Sequence, residues 1–165
     1  MTTHPLLQVR TLDARAAVPS YQTKQASGLD LAACLPRGEF GAGEIHISPG
    51  SIVKVPTGIA IALPDGHEGQ VRPRSGLATR HGLTVVNAPG TIDADYRGEL
   101  FVALINLGAE SVRIAHGDRV AQLVVAPVSR ASVVVVADLE QTARGAGGFG
   151  STGSGQAATV SSETA

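Results

Sequence analysis

Short strand-like runs separated by closely spaced turn signals limit the fold that this chain can adopt. The runs cover residues 6–12, 51–63, 70–74, 83–86, 100–106, 111–114, 119–128 and 132–137, and the second is interrupted at 56–58 by Pro-Thr-Gly. Turn clusters at 48–50, 64–66 and 116–118 lie between them. Only residues 75–82 have a helical pattern, with Ser75 as the expected N-cap and Gly82 as the expected C-terminal stop. This pattern predicts an all-β sandwich or barrel with one short helix and no doubly wound sheet.

Composition indicates one globular domain without an electrostatic surface for nucleic acid. The chain has 165 residues, of which 43% are hydrophobic and 16% charged, and its formal net charge is -1. That charge gives no footprint for nucleic acid or acidic lipid. The single cysteine, Cys34, excludes an internal disulfide framework and is expected to be a small buried hydrophobe. No membrane-spanning run or signal pattern is visible, so a cytoplasmic protein with no membrane partner is expected.

Residues 87–99, Asn-Ala-Pro-Gly-Thr-Ile-Asp-Ala-Asp-Tyr-Arg-Gly-Glu, form the most informative segment. Its Pro-Gly dipeptide at 89–90 is expected to reverse the chain between two strands, which would make a hairpin. Near the tip of that hairpin would lie Asp93, Asp95, Tyr96 and Arg97. This combination favours a ligand site, and a solvated hairpin is the alternative.

Three other segments place polar groups at strand or helix ends. Arg74 and Ser75 lie where a strand enters the helix, so free N–H groups could meet an anion there, although Ser75 could be an ordinary N-cap. Asp30 lies within the apolar stretch 26–31 and is a candidate partner for a phosphate-bound magnesium ion, or else a charged turn residue. Gln122 lies amid apolar neighbours, where its amide needs partners such as a water molecule.

The C-terminal segment is rich in glycine. Six of the twenty glycines fall between Gly145 and Gly155, around Phe149, one of only five aromatic residues. Such a segment is either a disordered end or a lid that folds over a nucleotide. The sequence therefore divides into a β domain at 1–142, a flexible glycine-rich arm at 143–153 and a tail at 154–165 that is expected to be disordered.

Taken in order from about Leu6 to Gly153, these five segments resemble the deoxyuridine triphosphatase family, trimeric all-β enzymes that hydrolyse dUTP to dUMP and pyrophosphate. The resemblance implies a jelly-roll-like β-barrel of the β-clip type, a homotrimer with shared active sites, dUTP as substrate and Mg²⁺ as cofactor. In cells, this activity would limit uracil in DNA and supply dUMP for thymidylate synthesis.

The resemblance also implies roles for individual residues. Asp93 would be the general base for the attacking water, Gln122 would hold that water, and Asp30 would contact Mg²⁺ through water. The implied substrate-binding residues are Arg74, Ser75 and Gly76 for the phosphates; Asn87, Gly90, Thr91 and Ile92 for uracil; Tyr96 for the deoxyribose; and Arg144, Phe149, Gly150, Ser151 and Thr152 from the arm. Phe149 would stack on uracil, and Arg144, Ser151 and Thr152 would hold the γ-phosphate.

Two alternatives remain at this stage. A dCTP deaminase of the same fold would need a different hairpin and a glutamate placed for deamination. A nucleotide-sensing trimer without turnover is the second alternative, but it would have no need of the water-activating pair Asp93 and Gln122.

Overall fold

The computed structural model describes residues 4–36, 43–148 and 151. Within these residues the chain forms ten strands and one helix: β1 Gln8–Thr11, β2 Leu29–Ala32, β3 Glu44–Ile47, β4 Ile52–Ala62, β5 His67–Pro73, α1 Ser75–His81, β6 Leu83–Val85, β7 Gly90–Ile92, β8 Glu99–Asn106, β9 Val112–Ala115 and β10 Arg119–Pro127. The all-β prediction with one short helix is therefore confirmed.

Two four-stranded antiparallel sheets and a two-stranded ribbon carry the core. The sheets have the orders β1-β4-β8-β6 and β2-β10-β5-β7, and β3 pairs with β9. Along β8, buried residues alternate with partly buried ones, which is the period expected when one face of a strand packs inward. The buried cluster draws on both sheets and the ribbon, including Leu31, Ile47, Val55, Val71, Leu83, Leu100, Val102, Leu104 and Leu123.

The interruption predicted within residues 51–63 is a β-bulge inside one strand. The pairing of β4 with β8 shifts register between Pro56 and Ala60. Gly58 has a positive φ of 68° there, and its N–H donates to a carboxylate oxygen of Glu99 at 2.8 Å. The bulge keeps both halves of β4 in the same sheet.

The segment 87–99 does not form the simple hairpin predicted for it. β6 pairs directly with β8, with Leu83 opposite Asn106. Between them, β7 leaves this sheet and pairs with β5 in the other one, where Thr91 lies opposite Gln70. The Pro-Gly turn at 89–90 therefore starts a crossing between sheets, because β5 offers a free edge to which β7 can hydrogen-bond.

The strand predicted at 132–137 is absent: none of the described residues after Pro127 belongs to a strand. Its four valines are exposed, Val133 and Val135 by more than nine-tenths. Strand propensity alone gives no stable strand without a hydrogen-bonded partner, and none pairs with this run in the described chain.

The chain divides into two compact units, Met1–Arg130 and Ala131–Ala165. All ten strands and the helix belong to the first unit. Helix α1 has seven residues, and no helix in the described ranges is long and apolar enough to cross a membrane.

Candidate functional site

A cavity of about 340 Å³, termed here the α1 cleft, lies where β2 and β10 meet the start of α1. It is lined by Asp30, Arg74, Ser75, Gly76, Leu77, Arg80, His81 and Gln122. The cleft therefore brings together the polar residues of three separate sequence segments that were predicted as site components.

Strand register places Gln122 and Asp30 side by side. Gln122 of β10 lies opposite Asp30 of β2 and, on its other side, opposite Arg72 of β5. The half-buried Gln122 amide donates from Nε2 to the Pro73 carbonyl oxygen at 3.0 Å. The amide that the sequence predicted to need a partner thus has one for its donor, while its acceptor Oε1 lies on the side of Gly28.

Two arginines hold the Asp30 carboxylate, whose side chain is only 15% exposed. Arg119 Nη1 lies 2.8 Å from Asp30 Oδ2, and Arg74 Nε lies 3.5 Å from Oδ1. Arg74 also donates from Nη1 to the Arg119 carbonyl oxygen at 3.0 Å. Asp30 lies in a strand and not in a turn, and its negative charge in this partly buried position is balanced by cations.

Helix α1 starts differently from the prediction. Its N-cap is Arg74, with φ -87° and ψ 124°, and no side chain makes a capping hydrogen bond. The expectation that Ser75 is the N-cap is wrong, because Ser75 is already the first helical residue and its exposed hydroxyl does not cap the helix. The C-terminal stop is confirmed: Gly82 adopts φ 67° and its N–H donates to the Ala78 carbonyl at 3.0 Å.

A second, smaller cavity of about 210 Å³, termed here the Asp93 cleft, lies beyond the end of β7. The predicted site residues that line it are Thr91, Ile92, Asp93 and Tyr96, and its other lining residues are Lys54, Glu99, Leu100 and Phe101. Tyr96 closes a turn, since its N–H donates to the Asp93 carbonyl at 3.1 Å and its hydroxyl donates to the Glu99 carbonyl at 2.9 Å. The Asp93 side chain is exposed.

Asn87 and Gly90 lie at the start of the crossing between the sheets. Asn87 is exposed and Gly90 is buried, opposite Val71. A side chain at position 90 would begin 3.2 Å from the Asn87 amide nitrogen and 3.4 Å from Val71. Glycine at position 90 therefore keeps space between the Asn87 amide and β5.

The α1 cleft and the Asp93 cleft share no lining residue. Gln122 lies opposite Arg72 of β5, whereas Ile92 lies opposite Gly69, and β5 separates β10 from β7. Two strand spacings and about four residues along the strands put the backbones of Asp93 and Gln122 about 15 Å apart. A single water bridges polar atoms about 5–6 Å apart. Gln122 Oε1 lies beside Gly28 on the β2 side of β10, away from β7, so one chain does not bring these two side chains to a common water in this arrangement.

Three polar residues that were not assigned from the sequence line the α1 cleft or contact its residues. Arg80 and His81 lie in the last turn of α1, and Arg119 binds both Asp30 and Arg74. Arg119 begins the strand that carries Gln122, but its pairing with Asp30, 89 positions away, leaves no local signal in the sequence.

The described part of the C-terminal unit consists of exposed irregular chain with local turns. Arg144 donates from Nε to the Gly147 carbonyl at 2.9 Å, and the Ser151 N–H donates to the Gly148 carbonyl at 3.0 Å. Three residues predicted for the arm, Phe149, Gly150 and Thr152, lie outside the described residues.

A family model described as dUTPase matches residues 14–153. The chain belongs to the dUTPase family. The family resemblance inferred from the five segments is therefore confirmed, and the match extends over all five of them.

Relatives and a solved structure agree with this membership. The chain is 62% identical to deoxyuridine 5'-triphosphate nucleotidohydrolase of Desulfotalea psychrophila over 137 residues, which is 83% of this chain and 87% of the relative. It is 53% identical to the protein of that name in Syntrophotalea carbinolica over 147 residues, 89% and 96% of the two chains. The dUTPase of Staphylococcus bacteriophage 80alpha, solved with dUpNHpp, superposes with a TM-score of 0.75 at 27% identity and covers 90% of this chain and 98% of its own. The predicted jelly-roll-like fold is thereby confirmed.

Proposed function

We infer that this protein is a dUTP diphosphatase that hydrolyses dUTP to dUMP and pyrophosphate. The observation that carries this conclusion is the match to the dUTPase family over residues 14–153, supported by 62% identity to an enzyme named for this reaction. The reaction removes dUTP, which limits uracil in DNA, and supplies dUMP for thymidylate synthesis.

The α1 cleft is proposed to bind the phosphate chain. Arg74 supplies a guanidinium, whose planar fork matches phosphate oxygens, and Ser75 supplies an exposed hydroxyl. The first N–H groups of a helix have no intrahelical acceptor, so those of Ser75 and Gly76 are available to an anion. Concentrating positive charge here screens the triphosphate before water attacks phosphorus.

Magnesium is proposed to bind together with the substrate. Among the residues that the structure describes, no group of three acidic, histidine or cysteine side chains could form a complete metal cage. Mg²⁺ usually keeps several waters and binds one or two carboxylates plus substrate phosphates, so Asp30 alone, acting through water, fits this ion. When bound, the ion supplies positive charge to the phosphate oxygens. Arg74 and Arg119 keep the Asp30 carboxylate oriented within the cleft.

Hydrolysis is proposed to use Asp93 and Gln122 on one water molecule. Asp93, an exposed carboxylate, takes the proton as that water attacks the α-phosphorus, and Gln122 holds the water through its amide oxygen. Because the two residues lie about 15 Å apart within one chain, we propose that Asp93 comes from a second copy of the protein. Membership of the dUTPase family is the ground for proposing that the copies form a homotrimer with shared active sites.

The Asp93 cleft and the residues before it are proposed to recognise deoxyuridine. Asn87 and the backbone of Gly90, Thr91 and Ile92 would hydrogen-bond uracil, and cytosine would leave some of those groups unpaired. Tyr96 is fixed by its hydrogen bond to the Glu99 carbonyl, so its ring could pack against the sugar where a ribose 2′-hydroxyl would not fit.

The chain is proposed to consist of the β domain at 1–142, the glycine-rich arm at 143–153 and the tail at 154–165. The arm is proposed to close over the bound nucleotide. Its expected contacts are those of Phe149 with uracil and those of Arg144, Gly150, Ser151 and Thr152 with the phosphates. A cytoplasmic location is also proposed, since the one cysteine, Cys34, is buried and free.

A nucleotide panel tests this function. Purified protein is given dUTP, dTTP, dCTP, dATP, dGTP and UTP with Mg²⁺, and pyrophosphate and ammonia are measured. Pyrophosphate from dUTP alone is the expected result. Ammonia from dCTP would replace the proposal with a deaminase, and tight dUTP binding without any product would replace it with a nucleotide sensor.

A further inference from the structure

Gly28 lies directly against the amide of Gln122. It is a buried residue immediately before β2, and its φ is not in the positive range that would itself require glycine. The reason for a glycine at this position therefore has to be sought in the space around it.

A side chain at position 28 would collide with Gln122. An ideal Cβ built on Gly28 lies 2.7 Å from Gln122 Oε1, 3.1 Å from its Cβ and 3.3 Å from its Cδ, and Gln122 supplies all three of the nearest atoms. The cause is strand geometry. Gln122 is the cross-strand partner of Asp30, and Gly28 precedes Asp30 by two residues, so positions 28 and 30 face the same side of the sheet.

The amide is held from its other end as well. Gln122 Nε2 donates to the Pro73 carbonyl at 3.0 Å, which leaves Oε1 on the side of Gly28. A methyl group at position 28 would push Oε1 away. The Gln122 amide would then rotate about its hydrogen bond to the Pro73 carbonyl, or that hydrogen bond would break. The position of Oε1 thus depends on the absence of a side chain at Gly28.

We propose that Gly28 is a positioning residue for catalysis: the space beside it sets where the Gln122 amide oxygen holds the attacking water. This inference rests on the proposed role of Gln122. Gly28 itself touches neither substrate nor water, and it acts only through the Gln122 side chain.

The first test is Gly28→Ala in the full-length protein. A displacement of about 1 Å in a positioning group can lower a rate by about a hundredfold, so kcat for dUTP is expected to fall between about tenfold and a hundredfold. KM and the dissociation constant for dUpNHpp should stay within about twofold, because Gln122 is proposed to hold water and not the nucleotide. The matched control is Ser27→Ala, an exposed neighbour that lies outside β2.

A double-mutant cycle with Gln122→Ala separates this inference from the proposed function. If Gly28 acts through Gln122, Gly28→Ala should lower kcat in the wild-type background and leave it unchanged in the Gln122→Ala background. If Gln122→Ala has full activity, the proposed role of Gln122 fails, and the inference fails with it. If Gln122→Ala is impaired but Gly28→Ala has normal kcat, only the inference is overturned.

An equal loss of kcat from Gly28→Ala in the wild-type and Gln122→Ala backgrounds would also overturn the inference, since Gly28 would then not act through Gln122. If Gly28→Ala alone does not fold, the stability of the variant that carries both Gly28→Ala and Gln122→Ala tests the inference instead. Gln122→Ala removes the closest contact, that with Oε1 at 2.7 Å, together with the one to Cδ, and leaves only the contact with Cβ at 3.1 Å. The double variant should therefore fold with a melting temperature close to that of Gln122→Ala. A double variant that remains unfolded refutes the inference.

Discussion

Complementation between two inactive variants tests whether Asp93 and Gln122 act from different copies of the chain. Asp93→Asn removes the proposed base, and Gln122→Ala removes the group proposed to hold the water. Each variant alone is expected to lose about a hundredfold or more in kcat, the usual contribution of such a group. The two proteins are unfolded together in equal amounts, refolded, and assayed for pyrophosphate release from dUTP.

The structure sets the size of the expected recovery. The backbones of the two residues are about 15 Å apart within a chain, so a site would take Gln122 from one copy and Asp93 from another. Such a site is intact when the first copy is the Asp93→Asn variant and the second is the Gln122→Ala variant. In a randomly assembled trimer this happens for about a quarter of the sites, so about a quarter of the wild-type rate should return.

Mixing wild-type protein with a chain that carries both substitutions provides the control. Sites shared between copies should then retain about a quarter of the wild-type rate, whereas sites formed within one chain should retain about half. Each protein is also refolded alone to measure losses in handling. A mixture of the two single variants that stays at the average of their separate rates would refute shared sites.

Four other outcomes are expected. Asn106→Ala should lower the free energy of unfolding in urea by about 3 kcal/mol, because this fully buried amide makes three hydrogen bonds, and a change below about 1 kcal/mol would contradict that reasoning. A chain cut immediately before Arg144 should keep the oligomeric state of the full-length protein by light scattering but lose most dUTP hydrolysis, and full activity would exclude the arm from the reaction. Phe149→Trp introduces the only tryptophan of the chain, and its fluorescence should change on addition of dUpNHpp if the ring contacts the base. Hydrogen bonds from Arg15 lower the pKa of the Asp13 carboxyl to about 2. The stability that this carboxylate contributes should therefore be present at pH 7 and lost as pH falls from about 4 to about 2. Asp13→Asn should remove that part of the dependence of stability on pH, and an unchanged pH profile of unfolding would contradict this reasoning.

Much of the β framework could be predicted because turn residues and apolar runs are local signals. The strand at 100–106 was found within one residue of its observed start, and the helix stop at Gly82 was correct. The crossing of β7 between sheets could not be predicted, because it depends on the free edge of β5, a partner distant in sequence. The strand predicted at 132–137 is wrong for the same reason, because β propensity is a local property but a strand requires a partner.

In the candidate site, too, the residues could be predicted from their types, but their pairings could not. Asp30, Arg74 and Gln122 were singled out from their residue types, and the fold places them in one cleft. The clamp formed by Arg119 was missed, because a salt bridge between residues 89 positions apart leaves no local pattern. The space beside Gly28 was missed as well, since only the register of β2 against β10 reveals it.

The contacts of Arg74 and Arg119 with Asp30 have a consequence for ligand affinity. Long side chains normally lose rotamer freedom when they bind a ligand, at a cost of about 0.5–1.5 kcal/mol each. Here the folded chain already restrains both guanidinium groups against one carboxylate, so part of that entropy is lost during folding. If the cleft binds the phosphate chain as proposed, its guanidinium groups are partly preorganised for it, and loosening the carboxylate anchor would weaken nucleotide binding without removing a cation.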